Sequence, residues 1–464
     1  MQRRWKVLLI AAAATFMSFL DATIVNIAFP DIQASFPEVS RSGLSWVLNA
    51  YSIVFAAFLV PAGRWSDRIG RRRMFLAGLI VFTVASALCA AAPSPETLVA
   101  ARVLQAAGAA ILTPTSLALL LPEFPIARRA TAVGLWGAAG AVAAATGPSL
   151  GGVLVDQAGW RWAFLVNLPI GVVAYVTGRR VLRESRDPDP GAVPDVAGAV
   201  LLAGAVGLLA LGLVEGQQWG WGSPRIIGSL AASAALAPLV VVRSLRHRSP
   251  VIELSLFRVR SFAVANVGTI LFASAFYAML LANVLFLTSV WGYSILTAGL
   301  ALTPGPLMAA AFAGPAGRLA DRIGQRAIVV PGAAVYAAGI AWFVTRVGTH
   351  PDFAGQWLPG TLLTGAGVGL AFPTLGSAAA ASLPPARFGV GSAITATSRQ
   401  VGAVLGVAVL VAILGTPAPA QAPAAFDHAW TAIALAGAAA GVAALALGPK
   451  PSYGPAPAGA KAAA

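Results

Sequence analysis

Gly63-Arg64-Trp65-Ser66-Asp67-Arg68-Ile69-Gly70-Arg71-Arg72-Arg73 is a basic turn bounded by glycines and set between two long apolar runs. The pattern returns 254 residues later as Gly317-Arg318-Leu319-Ala320-Asp321-Arg322-Ile323-Gly324-Gln325-Arg326, with seven of ten aligned positions identical. Such a repeat divides the chain into two related halves in parallel orientation. Each copy suits a short loop between two membrane helices: glycine permits the tight turn, and arginines in short loops hold them on the cytoplasmic side. A purely topogenic loop explains the arginines but not the repeated Gly-x3-Asp-Arg-x-Gly spacing. The aspartates, Asp67 and Asp321, are placed to cap a helix or to pair with a neighbouring arginine.

Working outward, 58% of the residues are hydrophobic, 10% are charged and the mean hydropathy is +0.80, which marks a polytopic membrane protein. The net charge of +15 is spread through loops between apolar runs, where it acts on topology and lipid headgroups rather than on nucleic acid. The lone cysteine, Cys89, lies in an apolar span and builds no disulfide framework. Met1 to Lys6 followed by an apolar run imitates a secretory signal; the run is too long and carries Asp21 and Asn26, so it reads as an uncleaved first span.

Fourteen apolar runs approach the roughly 20 residues needed to cross the hydrocarbon: 8–29, 46–63, 74–92, 97–121, 131–155, 162–182, 196–215, 225–243, 262–290, 298–316, 327–346, 358–381, 389–414 and 428–447. With the N-terminus inside, 25 Arg and Lys face the cytoplasm and 4 face outward, which predicts both termini inside. Eight spans separate the two loop copies, where two six-helix halves alone would give six; the surplus pair fits the middle, at 196–215 and 225–243. The predicted organisation is therefore an N-terminal six-helix bundle (1–182), a linker with two additional helices (183–260), a C-terminal six-helix bundle (261–447) and a disordered tail (448–464).

Three charged residues inside spans carry the chemistry. A carboxylate at the depth of Asp21 costs about 2.5–3.5 kcal/mol on insertion scales, so it needs a partner or a watery cavity. Burial raises and a nearby cation lowers its pKa, which suits a proton carrier; the alternative is an aspartate permanently paired with an arginine. Asn26, at helical spacing, extends a polar stripe. Arg102, with Gln105 one turn on, is the cationic counterpart unless it snorkels to the interface. Arg399, beside Gln400, has the same two readings. Gly147-Pro148-x2-Gly151-Gly152 predicts a hinge or a close helix crossing.

In this order these motifs resemble the major facilitator superfamily, specifically the fourteen-span drug:proton antiporters of the EmrB/QacA type. The resemblance rests on Leu20-Asp21-x-Thr23-Ile24-Val25-Asn26, the Gly63 to Arg73 loop, Arg102-x2-Gln105-x2-Gly108 and the Gly147 to Gly152 signature. Trp160-Arg161-Trp162-x-Phe164-x2-Asn167-x-Pro169-x-Gly171 and Arg399-Gln400-x-Gly402 complete it. It implies two six-helix bundles rocking around a central cavity, with a proton site at Asp21 near Arg102. It also implies a conformational switch at Gly63, Asp67, Arg68, Gly70, Arg72, Gly317, Asp321 and Arg322, and at the Gly147, Pro148, Gly151 and Gly152 helix. Asn26, Gln105, Arg399 and Gln400 become substrate-cavity candidates. Where some multidrug relatives carry further late carboxylates, this chain has apolar residues and Arg399, which favours lipophilic neutral, monocationic or anionic compounds.

The function expected is export of a lipophilic small molecule in exchange for protons across a bacterial inner membrane, by a monomer in contact with lipid. A dedicated exporter of one metabolite or antibiotic, an importer and a lipid transporter share the same residue pattern. An enzyme or sensor fits poorly: His247, His350 and His428 lie in loops, there is no metal-ligand cluster, no Gly-x4-Gly-Lys-Ser/Thr loop and no sizeable soluble domain. No cofactor and no metal are expected.

Overall fold

Backbone amides and carbonyls have no water to bond in hydrocarbon, so an apolar run that enters a membrane closes its hydrogen bonds along itself. In the computed structural model, which describes residues 2–125, 129–186, 192–383, 387–415 and 417–448, each of the fourteen apolar runs is helical. The helices are α1 (Arg3–Ser35), α2 (Arg41–Ile69), α3 (Arg71–Ala91), α4 (Pro95–Leu120), α5 (Arg129–Ala158), α6 (Trp162–Leu165), α7 (Asn167–Val181), α8 (Val196–Val214) and α9 (Gly216–Trp219). They continue as α10 (Pro224–Arg246), α11 (Arg260–Ser289), α12 (Ile295–Leu302), α13 (Pro304–Ile323), α14 (Arg326–Arg346), α15 (Leu358–Ala381), α16 (Phe388–Leu414) and α17 (Ala422–Ala444). No strand occurs among the described residues. Of the expected tail 448–464, all but Gly448 falls outside them.

Among the described residues, twelve helical stretches are long and apolar enough to cross a membrane, and a thirteenth if the two parts of α5, bent by 43° between Leu135–Ala144 and Thr146–Ala158, form one span. The fourteenth run is α17, a 23-residue helix whose hydropathy is lowered by Asp427 and His428. Two expected spans are interrupted. The sixth breaks at Val166 between α6 and α7, and the tenth at Thr303, where Pro304 and Pro306 each lack a backbone donor.

The loop that opened the sequence reading is built around Gly70, whose φ of +127° ends α2 and begins α3 in one residue. No L side chain fits there: a Cβ would lie 2.6 Å from Glu184 Oε1. Glu184 accepts from the backbone amides of Arg72 (3.1 Å) and Arg73 (3.2 Å), closing donors that the start of α3 leaves open. Of the two roles open to Asp67, the structure selects pairing: its carboxylate accepts from Arg71 Nε at 2.9 Å. Arg72 Nη2 donates to the Arg179 carbonyl at 2.8 Å. In the second copy Gly324 also has positive φ, +95°, but no atom within 4 Å of where a Cβ would stand. The side chain of Asp321 lies outside the described residues.

Helices α1 to α7 pack among themselves, and α11 to α17 do likewise. Helices α8 and α10 pack on each other, and α8 also touches α2 and α16. The two sets meet where α2 lies along α16 and α5 along α12, with α1 touching α11. The Gly147 to Gly152 motif makes the α5 seam. A Cβ at Gly147 would stand 2.0 Å from Thr23 Oγ1, and one at Gly299 on α12 would stand 2.4 Å from the Pro148 carbonyl. The motif is thus a close crossing of three helices, with the bend of α5 directly before Pro148.

Candidate functional site

Asp21 sits in the middle of α1 with none of its side chain exposed, and the fold supplies a cage whose donors come from two other helices, α4 and α7. Arg102 on α4, 1% exposed, donates from Nη1 to Asp21 Oδ2 at 2.5 Å. The same nitrogen donates to Gln105 Oε1 at 2.6 Å, and Gln105 Nε2 donates to Asp21 Oδ1 at 2.8 Å and to Ser86 Oγ at 2.8 Å. Asn167 Nδ2 lies 3.3 Å from Asp21 Oδ1. Arg102 Nε donates to the Val47 carbonyl at 3.0 Å. Its guanidinium carbon is 4.1 Å from the centroid of the Tyr51 ring and 5.7 Å from that of Phe164.

Local sequence explains each placement. Arg102 and Gln105 are three apart and so share a face of α4. The break at Val166 starts α7 at Asn167, which turns that amide toward α1 and α3. Gly108 lets α4 approach α3 until a Cβ would be 2.7 Å from the Phe82 amide, which brings Ser86 and Gln105 together. The cage holds a carboxylate and a guanidinium at hydrogen-bonding distance, away from water. Such a pair attracts strongly, but removing one member strands the other charge, at a cost of about 3–5 kcal/mol.

The sequence candidates separate into two groups. Asp21, Arg102 and Gln105 come together, and Arg102 turns inward rather than snorkelling. Gln105, read from the sequence as cavity lining, is fully buried in the cage. Asn26 spends its amide on the Ala22 carbonyl of its own helix, at 2.8 Å, and takes no part in it. Arg399 is elsewhere: its guanidinium carbon lies over the Phe19 ring, 5.4 Å from the centroid, and its buried Nε has no hydrogen-bond partner. Gln400 is 7% exposed and makes no hydrogen bond to a described residue. No group of His, Cys, Asp and Glu able to hold a metal occurs among the described residues.

Sequence reasoning missed Ser86, Asn167, Tyr51 and the Val47 carbonyl as parts of the cage, and Glu184 as a partner of the loop. Asn167 had a signal, since it stands inside the Trp160 to Gly171 motif. A backbone carbonyl has none.

A multi-pass helical protein with a sealed ion pair between α1 and α4, and two helix sets meeting along α2–α16 and α5–α12, has the build of a membrane transporter. The chain belongs to the Major Facilitator Superfamily, whose model matches residues 11–197 and 266–463; the stretch between holds most of α8, α9 and α10. It is 38% identical over 402 residues to the multidrug resistance protein Stp of Mycobacterium tuberculosis (strain CDC 1551 / Oshkosh), covering 86% of this chain and 74% of that one. It is 33% identical over 445 residues to the methylenomycin A resistance protein of Bacillus subtilis (strain 168), covering 95% and 92%. The fold also matches a crystal structure of a bacterial homologue of the human lysosomal transporter Spinster, with a TM-score of 0.63 and 16% identity over 96% of this chain and 95% of that one. The protein is accordingly a transporter and not an enzyme.

Proposed function

We propose that this chain exports lipophilic small molecules, drugs or antibiotics, from a bacterial cell in exchange for protons, by alternating access. In this reading fourteen helices span the inner membrane with both termini in the cytoplasm. Residues 1–182 and 261–447 form the two rocking bundles, and 183–260 is an inserted pair. The resistance and multidrug names of the two relatives support the export direction. The observation that carries the coupling is the Asp21 cage: a carboxylate whose two oxygens are both engaged by donors that move with α4 and α7. A bundle that rearranges those helices changes the affinity of Asp21 for a proton, and a ligand shifts a two-state equilibrium by its differential affinity for the states. Helices α5 and α12 meet through Gly152, Ile295 and Gly299, at the end of the molecule that this reading places outward.

The complete burial of Asp21 favours a second reading, in which the pair with Arg102 is permanent and structural. Asp21→Asn in proteoliposomes separates them. Under the coupling reading it abolishes uphill export driven by a pH gradient while gradient-free substrate counterflow continues. Loss of both activities together with a lowered unfolding temperature supports the structural pair, and full pH-driven export by the variant refutes the coupling role.

A further inference from the structure

We propose that Arg399 is the docking point for an acidic group on the exported molecule, so that the substrate class is a flat lipophilic acid, a carboxylate or ionised phenol on an aromatic frame. The proposal rests on the exporter reading and narrows its substrate.

Arg399 lies in mid-helix. It is the twelfth of 27 residues in α16, with about 17 Å of helix to one end and about 22 Å to the other. Neighbouring residues clamp α16 on two sides: Thr397 Oγ1 donates to the Ala56 carbonyl of α2 at 3.1 Å, and Ser398 Oγ donates to Asn266 Oδ1 of α11 at 3.0 Å. Gly402 and Gly406 seat the helix against the Ile270 and Ser274 carbonyls. Arg399 itself reaches toward α1. There it meets Phe19, whose ring rests on Gly140 of α5, where a Cβ would be 3.3 Å from it. Phe19 and Asp21 are two residues apart, about 200° around the helix, so one face of α1 serves the ion pair and the other serves Arg399.

The charge on Arg399 has no counter-ion among the described residues. Among the described residues the six ion pairs use Arg3, Arg71, Arg73, Arg102, Arg243 and Arg387. Between residues 260 and 448 the sequence has only three acids, Asp321, Asp352 and Asp427, all near helix ends. Arginine does not lose its proton in such a place, so a mid-membrane guanidinium remains a cation in want of an anion. With one face over Phe19, its edge of N–H donors is left for a planar acceptor, the geometry that a carboxylate or phenolate matches. Phe19 supplies an aromatic wall for the rest of the molecule.

The test compares two xanthene dyes of similar shape and opposite charge, ionised fluorescein and tetramethylrhodamine methyl ester. Both are titrated onto the purified full chain in nanodiscs and followed by fluorescence anisotropy. The wild-type protein should bind fluorescein the tighter of the two. Arg399→Gln should weaken fluorescein by about tenfold or more, the worth of a charge-assisted hydrogen bond, and change the cationic dye by less than about twofold. Arg399→Lys, which keeps the charge and loses the fork, should fall between. Fluorescein binding unchanged by Arg399→Gln, both dyes weakened alike, or a wild-type protein that binds fluorescein no better than the rhodamine would each overturn the proposal. Because binding is read at equilibrium without a gradient, it can fail while proton-driven export of a cationic dye persists, and the two ideas are judged separately.

Discussion

The two halves share a repeated loop but use their polar residues in opposite ways. In the first half the acids near the functional elements have protein partners: Asp21 has Arg102, Asp67 has Arg71 and Glu123 has Arg3, while Glu184, just beyond it, holds the start of α3. In the second half the charge within the bundle, Arg399, and the second loop glycine, Gly324, have no such partner among the described residues. The two helix sets thus differ in that one holds an internal ion pair and the other an arginine with no counter-ion among the described residues. The difference teaches that in membranes an ionisable residue is informative chiefly through what it is paired with.

The largest contrast is between the two arginines. Arg102→Ala strands Asp21 in a sealed site and should destabilise the protein by about 3–5 kcal/mol, whereas Arg399→Ala breaks no pair and should cost under about 1 kcal/mol. Thermal unfolding of the two purified variants side by side checks this; equal losses would erase the contrast. Next comes the loop pair. Gly70→Ala forces a side chain into a disfavoured backbone region and against Glu184, with a cost of about 1–3 kcal/mol. Gly324→Ala meets only the backbone term, so it should lower the unfolding temperature less. A loss at Gly324 equal to that at Gly70 would show that the second loop is as tightly built as the first.

The smallest effect should come from the junction where α2 and α16 meet the segment that follows α8. Ser42 on α2 donates to Glu215 at 3.2 Å and to Gln218 Oε1 at 3.0 Å; Gln217 donates to the Ala412 carbonyl of α16 at 3.1 Å. Burial raises the Glu215 pKa above the ordinary glutamate value, and the Ser42 bond opposes part of that rise. A raised carboxyl pKa means that the folded state holds its proton more firmly than the unfolded chain does. Stability from this group is therefore present at low pH and declines as pH rises from the ordinary glutamate value through the raised one. Glu215→Gln should flatten that part of the stability–pH curve, and an unflattened curve would assign the slope to another group.

How much of this was legible beforehand depends on the kind of residue. Long apolar runs announce helices because hydrocarbon leaves the backbone no other way to bond, and all fourteen runs are helical although boundaries moved. The length of the bilayer does not limit the helix: α1 extends to 33 residues where a span of about 20 suffices, and it runs on through Pro30. Asp21 and Arg102 stood out as charges in oil, and spacing joined Gln105 to Arg102. Ser86 and Tyr51 did not stand out, because serine and tyrosine are unremarkable in a span until a neighbouring helix turns toward them. Glu184 is 114 positions beyond Gly70 in sequence, a separation across which no local pattern operates.

The sequence by itself determined the membrane class, the internal duplication, the helical runs and the presence of three costly charges within them, since each follows from composition, period and the price of charge in hydrocarbon. Only the tertiary structure decided which arginine answers Asp21 and which is left over. Residues 21, 102 and 399 lie on three separate helices, and the pairing follows from which faces those helices present to one another across the glycine contacts of α1, α4, α5 and α16.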